Sequence, residues 1–96
     1  METPDWSGLV VRTRARLRFG VVVGVFTDGP YAGRLRVHGP YRSGGRRDEE
    51  RKPYILVYAI PRDAVRLTRR GVVRLPVEAM AARAAWLVGA LPQRED

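Results

Sequence analysis

The 96-residue sequence contains no cysteine and no asparagine, and it has one histidine and one lysine. Without cysteine the chain cannot form disulfides, thiolate metal centres or a cysteine nucleophile. His38 alone cannot build a histidine-rich metal site. No apolar run approaches the about 20 residues of a membrane span, and the first residues do not resemble a secretory signal. We therefore expect a cytoplasmic protein that uses no metal or other cofactor and contacts no membrane.

Negative charge is scarce relative to positive charge. Eighteen Lys and Arg face ten Asp and Glu, which gives a net charge of +8, and all but one of the basic residues are arginine. Such an excess attracts nucleic acid or acidic partners through its long-range field. Arginine with almost no lysine is also what a GC-rich genome places on any solvated surface. Both explanations of the charge remain open at this level.

The first long pattern alternates apolar residues with arginine from Val11 to Phe19. A period of two predicts one half-buried strand with four arginines on its solvent face. Further short apolar segments are predicted as strands, and a polar segment of mixed charge is predicted as a long loop. The strands are expected at 21–27, 34–38, 53–60, 65–67 and 72–75, and the loop at 39–52.

Short strands separated by frequent turn residues are typical of small β-barrels. The sequence therefore predicts one mainly β domain: a flexible leader over 1–10, then an antiparallel barrel of five or six strands over 11–76. After Pro76 the apolar period changes from two to that of a helix, which predicts an α-helix over 77–91 and a short tail over 92–96.

The predicted helix has little polar surface. One apolar face, which includes Val77, Met80 and Ala84, is expected to pack on the barrel, and this leaves a second apolar stripe around Trp86. A tryptophan among alanines is typical of interfaces, so we expect this stripe to contact a protein partner or a second copy of the chain. The alternative is that the leader covers Trp86 through Trp6. The candidate interface residues are Ala79, Ala82, Arg83, Trp86 and Ala90.

Several residues are expected to shape turns and to take no part in chemistry. The side chain of Asp28 can accept hydrogen bonds from the amides that follow it, while nearby glycines supply positive φ. Proline fixes φ at a second turn. The structural turn residues are Asp28, Gly29, Gly33, Pro61, Asp63 and Gly71.

Three of these segments resemble the PRC-barrel family in order and spacing. They are a D-G-x-x-x-G turn at 28–33 (DGPYAG), a Pro-x-Asp-x-Val turn at 61–65 (PRDAV) and a G-x-V-x-L strand at 71–75 (GVVRL). The resemblance covers residues 20–77 and departs from the family at 39–52. It implies a small barrel that serves as a non-enzymatic binding or adaptor module in protein assembly.

The first of these turns also resembles a KOW element. Residues 29–33 (GPYAG) match the G-P-[FY]-x-G turn of that family. This second resemblance implies an SH3-like barrel that binds RNA or associates with the ribosome. Both resemblances imply binding in place of catalysis.

The arginines supply the candidate binding site. Four alternate along the first predicted strand and four more cluster around the last turn, where they could follow phosphates or an acidic partner. The structural alternative is that alternating arginine keeps a strand face solvated and discourages edge pairing. The residues are Arg12, Arg14, Arg16, Arg18, Arg66, Arg69, Arg70 and Arg74.

No catalytic constellation is present in the sequence. Ser7 and Ser43 lack the context of a nucleophile, and the acidic run 48–50 lies between arginines. We therefore expect no enzyme activity. The first expectation is a PRC-barrel-like adaptor, and the alternative is a basic RNA- or ribosome-associated barrel.

Overall fold

A computed structural model describes residues 5–42 and 54–92. These residues form a mainly β fold with one α-helix near the C-terminus, which confirms the expected fold class. Two 3-10 turns, Gly29–Tyr31 and Arg62–Ala64, separate strands. The strands are β1 (Val10–Arg12), β2 (Arg18–Val25), β3 (Leu35–Arg42), β4 (Tyr54–Ile60), β5 (Arg66–Leu67), β6 (Val73–Arg74) and β7 (Leu87–Pro92), and the helix is α1 (Ala79–Trp86).

The strands form a single sheet in the order β5-β6-β1-β2-β3-β4-β7. This differs from the expected antiparallel barrel in three ways: the described strands number seven, β1 and β6 are parallel, and the sheet is open because β5 and β7 do not pair with each other. The parallel pair aligns Val11 with Val73 and Arg12 with Arg74. It joins the beginning of the chain to its last third.

The buried cluster at the core draws residues from β1, β2, β3, β4, β6 and α1. Its centre is an aromatic pair, Phe19 and Tyr58, whose ring centroids are 4.4 Å apart. Removing this apolar surface from water is the main favourable term in folding. The buried cluster comprises Val11, Phe19, Val22, Leu35, Val37, Tyr58, Ile60, Val73, Leu75 and Ala82.

The single strand predicted over 11–19 is wrong. β1 ends at Arg12, residues 13–17 reverse the chain, and β2 begins at Arg18. The alternating pattern continues through the reversal because the turn contains neither glycine nor proline to interrupt it. The four arginines therefore do not share one strand face.

The helix predicted over 77–91 is also wrong in its length and its orientation. α1 ends at Trp86, and the next six residues form β7, which pairs with β4. The stripe expected to face outward faces the core: Ala82 is fully buried, and Ala79 and Trp86 pack against the buried cluster. Met80, expected to be in the core, is 83% exposed. Backbone pairing with β4 overrides a helical pattern that Gly89 and Pro92 already weaken.

Two segments expected to lie outside the regular structure belong to it. In the predicted leader, Trp6 packs against the core and the amide of Gly8 donates to the carbonyl of Val22 at 2.7 Å. The predicted loop over 39–52 begins later, because β3 continues to Arg42 and pairs there with Tyr54. The rest of that loop, with its acidic run 48–50, and the tail after Pro92 lie outside the described residues.

The glycines of the first turn adopt the positive φ that was expected, but Asp28 does not make the expected side-chain hydrogen bond to the amides that follow it. Gly29 and Gly33 have φ of +78° and +89°. Asp28 precedes the first 3-10 turn in an extended conformation, and its side chain makes no capping hydrogen bond there. Pro61, with φ of −58°, precedes the second 3-10 turn as expected. Within the described residues no helix has the length and apolar character needed to span a membrane.

Candidate anion-binding surface

Two short turns of the same construction carry the arginines of the candidate site. We call residues 13–17 (TRARL) the first threonine turn and residues 68–72 (TRRGV) the second threonine turn. Each begins with a threonine and joins two antiparallel strands by a three-residue loop, a common hairpin connection. The first loop places Arg14 and Arg16 at the tip of its hairpin, and the second places Arg69 and Arg70 at the tip of the other.

The hydrogen bonds of the two turns match one for one. In the first, the amide of Thr13 donates to the Leu17 carbonyl at 2.9 Å, and the amide of Leu17 donates to Thr13 Oγ1 at 3.3 Å. In the second, the amide of Thr68 donates to the Val72 carbonyl at 2.8 Å, and the amide of Val72 donates to Thr68 Oγ1 at 3.1 Å. In each turn a third hydrogen bond runs to the carbonyl of the threonine. The amide of Arg16 donates to the Thr13 carbonyl at 2.8 Å, and the amide of Gly71 donates to the Thr68 carbonyl at 3.0 Å.

The parallel pairing of β1 with β6 brings residues of both turns to one surface. A cavity of about 570 Å³ opens there, and five arginines line it. Among the described residues that line it there is no aspartate or glutamate. Guanidinium groups bind phosphate and carboxylate oxygens through paired, charge-assisted hydrogen bonds, so this wall suits an anion. The lining residues are Arg12, Arg16, Thr68, Arg69, Arg70, Val72 and Arg74.

A second, smaller cavity adjoins the first through Arg74, which lines both. Its volume is about 390 Å³, and Arg14 and Arg66 also line it. Asp63 is the one acidic residue among the described residues that line it. The two cavities together form what we call the arginine surface, and positive charge continues from one cavity into the next.

One arginine of this surface is held by the backbone. The guanidinium of Arg12 donates through Nη1 to the carbonyl of Arg16 at 2.8 Å. This bond ties the side chain of β1 to the tip of the first threonine turn. A guanidinium carries five N–H donors in a fixed plane, so the bond restrains its position and leaves other donors for a ligand. Such restraint lowers the entropy that binding must overcome.

The structure thus brings together seven of the eight arginines that the sequence singled out. Five line the larger cavity, and Arg14 and Arg66 line the smaller one. Arg18 is exposed on β2 and lines neither cavity. The two groups of arginines, separate in the sequence, meet because β6 lies beside β1.

The residues proposed for a protein interface do not lie on one exposed surface. Ala79, Ala82 and Trp86 face the core, whereas Arg83 is exposed on the outer side of α1 and Ala90 is exposed on β7. A homodimer stays a prediction, but the apolar stripe on which it was based lies on the inner side of the helix.

Sequence reasoning missed the two threonines that build the site. Thr13 is fully buried, and its hydroxyl oxygen accepts a hydrogen bond from the amide of Leu17. It shapes the first threonine turn through this bond, whereas the search for a binding site in the sequence considered charged residues. A signal for it was present. The segments TRARL and TRRGV share a threonine, a following arginine and an apolar fifth residue. The two segments are short and lie 55 positions apart, so the similarity is recognisable only once the matching hydrogen bonds are known.

His38 lies away from the arginine surface, on β3. Burial lowers its pKa below the ordinary value of 6.5, and the positive charge of Arg36 lowers it further. Consistent with a neutral ring, Nε of Arg36 donates to Nε2 of His38 at 3.2 Å. His38 therefore acts as a hydrogen-bond acceptor on the sheet.

Comparison with family models, with curated proteins and with solved structures finds no match to this chain. The resemblances to PRC-barrel and KOW elements rest on the sequence motifs alone and stay predictions.

Proposed function

We propose that this protein is a non-enzymatic nucleic-acid-binding module that holds the phosphate backbone of RNA. The observation that supports the proposal is the arginine surface, where seven arginines line two adjoining cavities and Asp63 is the one acidic residue among the described lining residues. Unbalanced arginine that converges on one surface is the electrostatic footprint of a polyanion site.

The surface has room for an extended anion. Because Arg74 lines both cavities, a ligand with several phosphates in a row can contact the two cavities in succession. Among the part of the chain that the structure describes, no aromatic side chain on which a base could stack lines either cavity. Contacts to phosphates position a nucleic acid without reading its sequence, so we expect binding with little sequence preference.

The experiment compares two double variants that lose the same charge. R69Q/R70Q removes two guanidinium groups from the larger cavity, at the exposed tip of a turn. R18Q/R83Q removes two exposed guanidinium groups that line neither cavity. Affinity for a single-stranded RNA oligonucleotide is measured by fluorescence anisotropy at about 0.15 M salt, where the Debye length is about 8 Å. Circular dichroism checks that both variants fold.

We expect R69Q/R70Q to lose affinity by about tenfold or more, because a charge-assisted hydrogen bond contributes about 1.5 kcal/mol or more. R18Q/R83Q should bind within about twofold of the wild type, since long-range attraction between exposed charges is largely screened. Equal losses in the two variants would mean that net charge, and not the arginine surface, attracts RNA. No binding by the wild type would refute the proposal.

Protein assembly, the first expectation from the sequence, stays a prediction. One sequence argument for a protein contact was an outward-facing Trp86, and that side chain packs against the core. We therefore rank nucleic-acid binding first.

A further inference from the structure

We infer that the larger cavity is a discrete site for a phosphate group, and that Arg16 occupies a strained backbone position because its side chain serves that site. The inference rests on the proposed function, since it assigns a ligand group and a specific residue to the same arginine surface. It also makes a claim of its own: a free polyphosphate should bind there without RNA.

The first observation is a difference between two otherwise equivalent turns. The fourth residue of each threonine turn adopts the left-handed conformation, with φ of +76° at Gly71 and +68° at Arg16. Glycine reaches this region without steric cost, whereas a residue with Cβ does not. Among the described residues, Arg16 is the only one other than glycine with positive φ.

The second observation is that the turn does not need an arginine for its backbone. The second threonine turn makes the same three backbone and hydroxyl hydrogen bonds with glycine at this position. The bond from Arg12 Nη1 goes to the carbonyl of Arg16, which a glycine would also supply. Backbone strain of this kind is concentrated at functional sites. Glycine at position 16 would supply the same backbone hydrogen bonds but no guanidinium group, so we assign the strain to the function of the Arg16 side chain.

The third observation is that Arg16 lines the larger cavity. Arg16 is one of five arginines that line the larger cavity, together with Arg12, which is itself held to the turn. Five arginines around one cavity, with no carboxylate among its described lining residues, match the several oxygens of one phosphate group or of a short polyphosphate. The phosphate can belong to a nucleic-acid backbone or to a free anion, and the chemistry of recognition is the same.

The test replaces the residues at the two equivalent positions. R16G relieves the strain and removes the guanidinium, while the reciprocal variant G71R introduces an arginine at a position that favours glycine. R18Q loses one charge outside the cavity and is the matched control. Thermal unfolding is followed with and without inorganic triphosphate, and RNA affinity is measured by anisotropy with triphosphate as competitor.

Without ligand, we expect R16G to melt about 4 to 8 °C above the wild type, and G71R to melt below it, because a left-handed conformation costs a residue with Cβ stability. Triphosphate should raise the melting temperature of the wild type and of R18Q, and it should compete with RNA. For R16G the affinity for triphosphate and for RNA should fall by about tenfold.

The outcomes separate the inference from the proposed function. If RNA binds but triphosphate neither stabilises the wild type nor competes, the phosphate site is refuted and nucleic-acid binding stands. If triphosphate binds and RNA does not, the proposed function is refuted and the phosphate site stands. If R16G binds both ligands as the wild type does, Arg16 does not serve the site. If R16G melts below the wild type, Arg16 is needed for the fold and the argument from strain is wrong.

Discussion

At the scale of single residues, charge alone does not identify the side chains that matter. Arg16 and Arg18 are two positions apart and both exposed, but one lines the larger cavity and the other lines neither. The sequence could name both as candidates because arginine is recognisable by type. The sequence could not distinguish Arg16 from Arg18, because the difference depends on the turn over 13–17. That turn places Arg16 in the left-handed conformation and contains no glycine that would have indicated a turn.

His38 gives a residue-scale prediction about pH. Its pKa is lowered in the folded protein by burial and by Arg36, so as pH falls through about 6.5 the unfolded chain takes up a proton that the folded protein does not. The free energy of unfolding should therefore decrease as pH falls below about 6.5, and the decrease should stop once pH falls below the pKa of the folded state.

The measurement compares the wild type with H38Q, which keeps a neutral hydrogen-bond acceptor. Urea unfolding is followed between about pH 7.5 and pH 5. The difference in stability between the two proteins should move in favour of H38Q as pH falls, because glutamine does not titrate. A difference that stays constant over this interval would show that the pKa of His38 is the same in both states.

At the scale of elements, the sequence predicted the existence of most strands and missed two boundaries. β2, β3, β4, β5 and β6 fall within or beside predicted strands, because apolar runs bounded by turn residues are a strong local signal. The first threonine turn was hidden because its alternation of arginine with apolar residues continues that of β1. β7 was hidden because its pairing with β4 is a long-range contact, which local periodicity does not report.

The orientation of α1 supplies a prediction at this scale, with a control on the same helix. Ala82 is fully buried in the core, whereas Ala84 is exposed. A82L forces extra methylenes into a packed interior and should lower the free energy of unfolding by about 2 kcal/mol, while A84L should change it by less than about 0.5 kcal/mol. Both are measured by urea denaturation. The reverse order would mean that α1 presents the opposite face to the core, as its periodicity alone predicted.

At the scale of the whole molecule, the candidate site is a product of topology. Arg12 and Arg74 are 62 positions apart and become neighbours through the parallel pairing of β1 with β6. Nothing in either segment specifies the other as its partner, so the sequence yielded two separate arginine clusters. The fold brings them together, so that seven arginines line two adjoining cavities.

The central claim is that this surface binds nucleic acid through phosphates, and its most direct test is the salt dependence of RNA affinity. Each neutralised phosphate of a single strand contributes about −0.7 to the slope of log K against log salt concentration. The seven arginines that line the two cavities can neutralise at most seven phosphates, so the slope should be negative and no steeper than roughly −4.9, and R69Q/R70Q should bring it closer to zero. An RNA affinity that does not change with salt, or a slope that R69Q/R70Q leaves unaltered, would contradict this account.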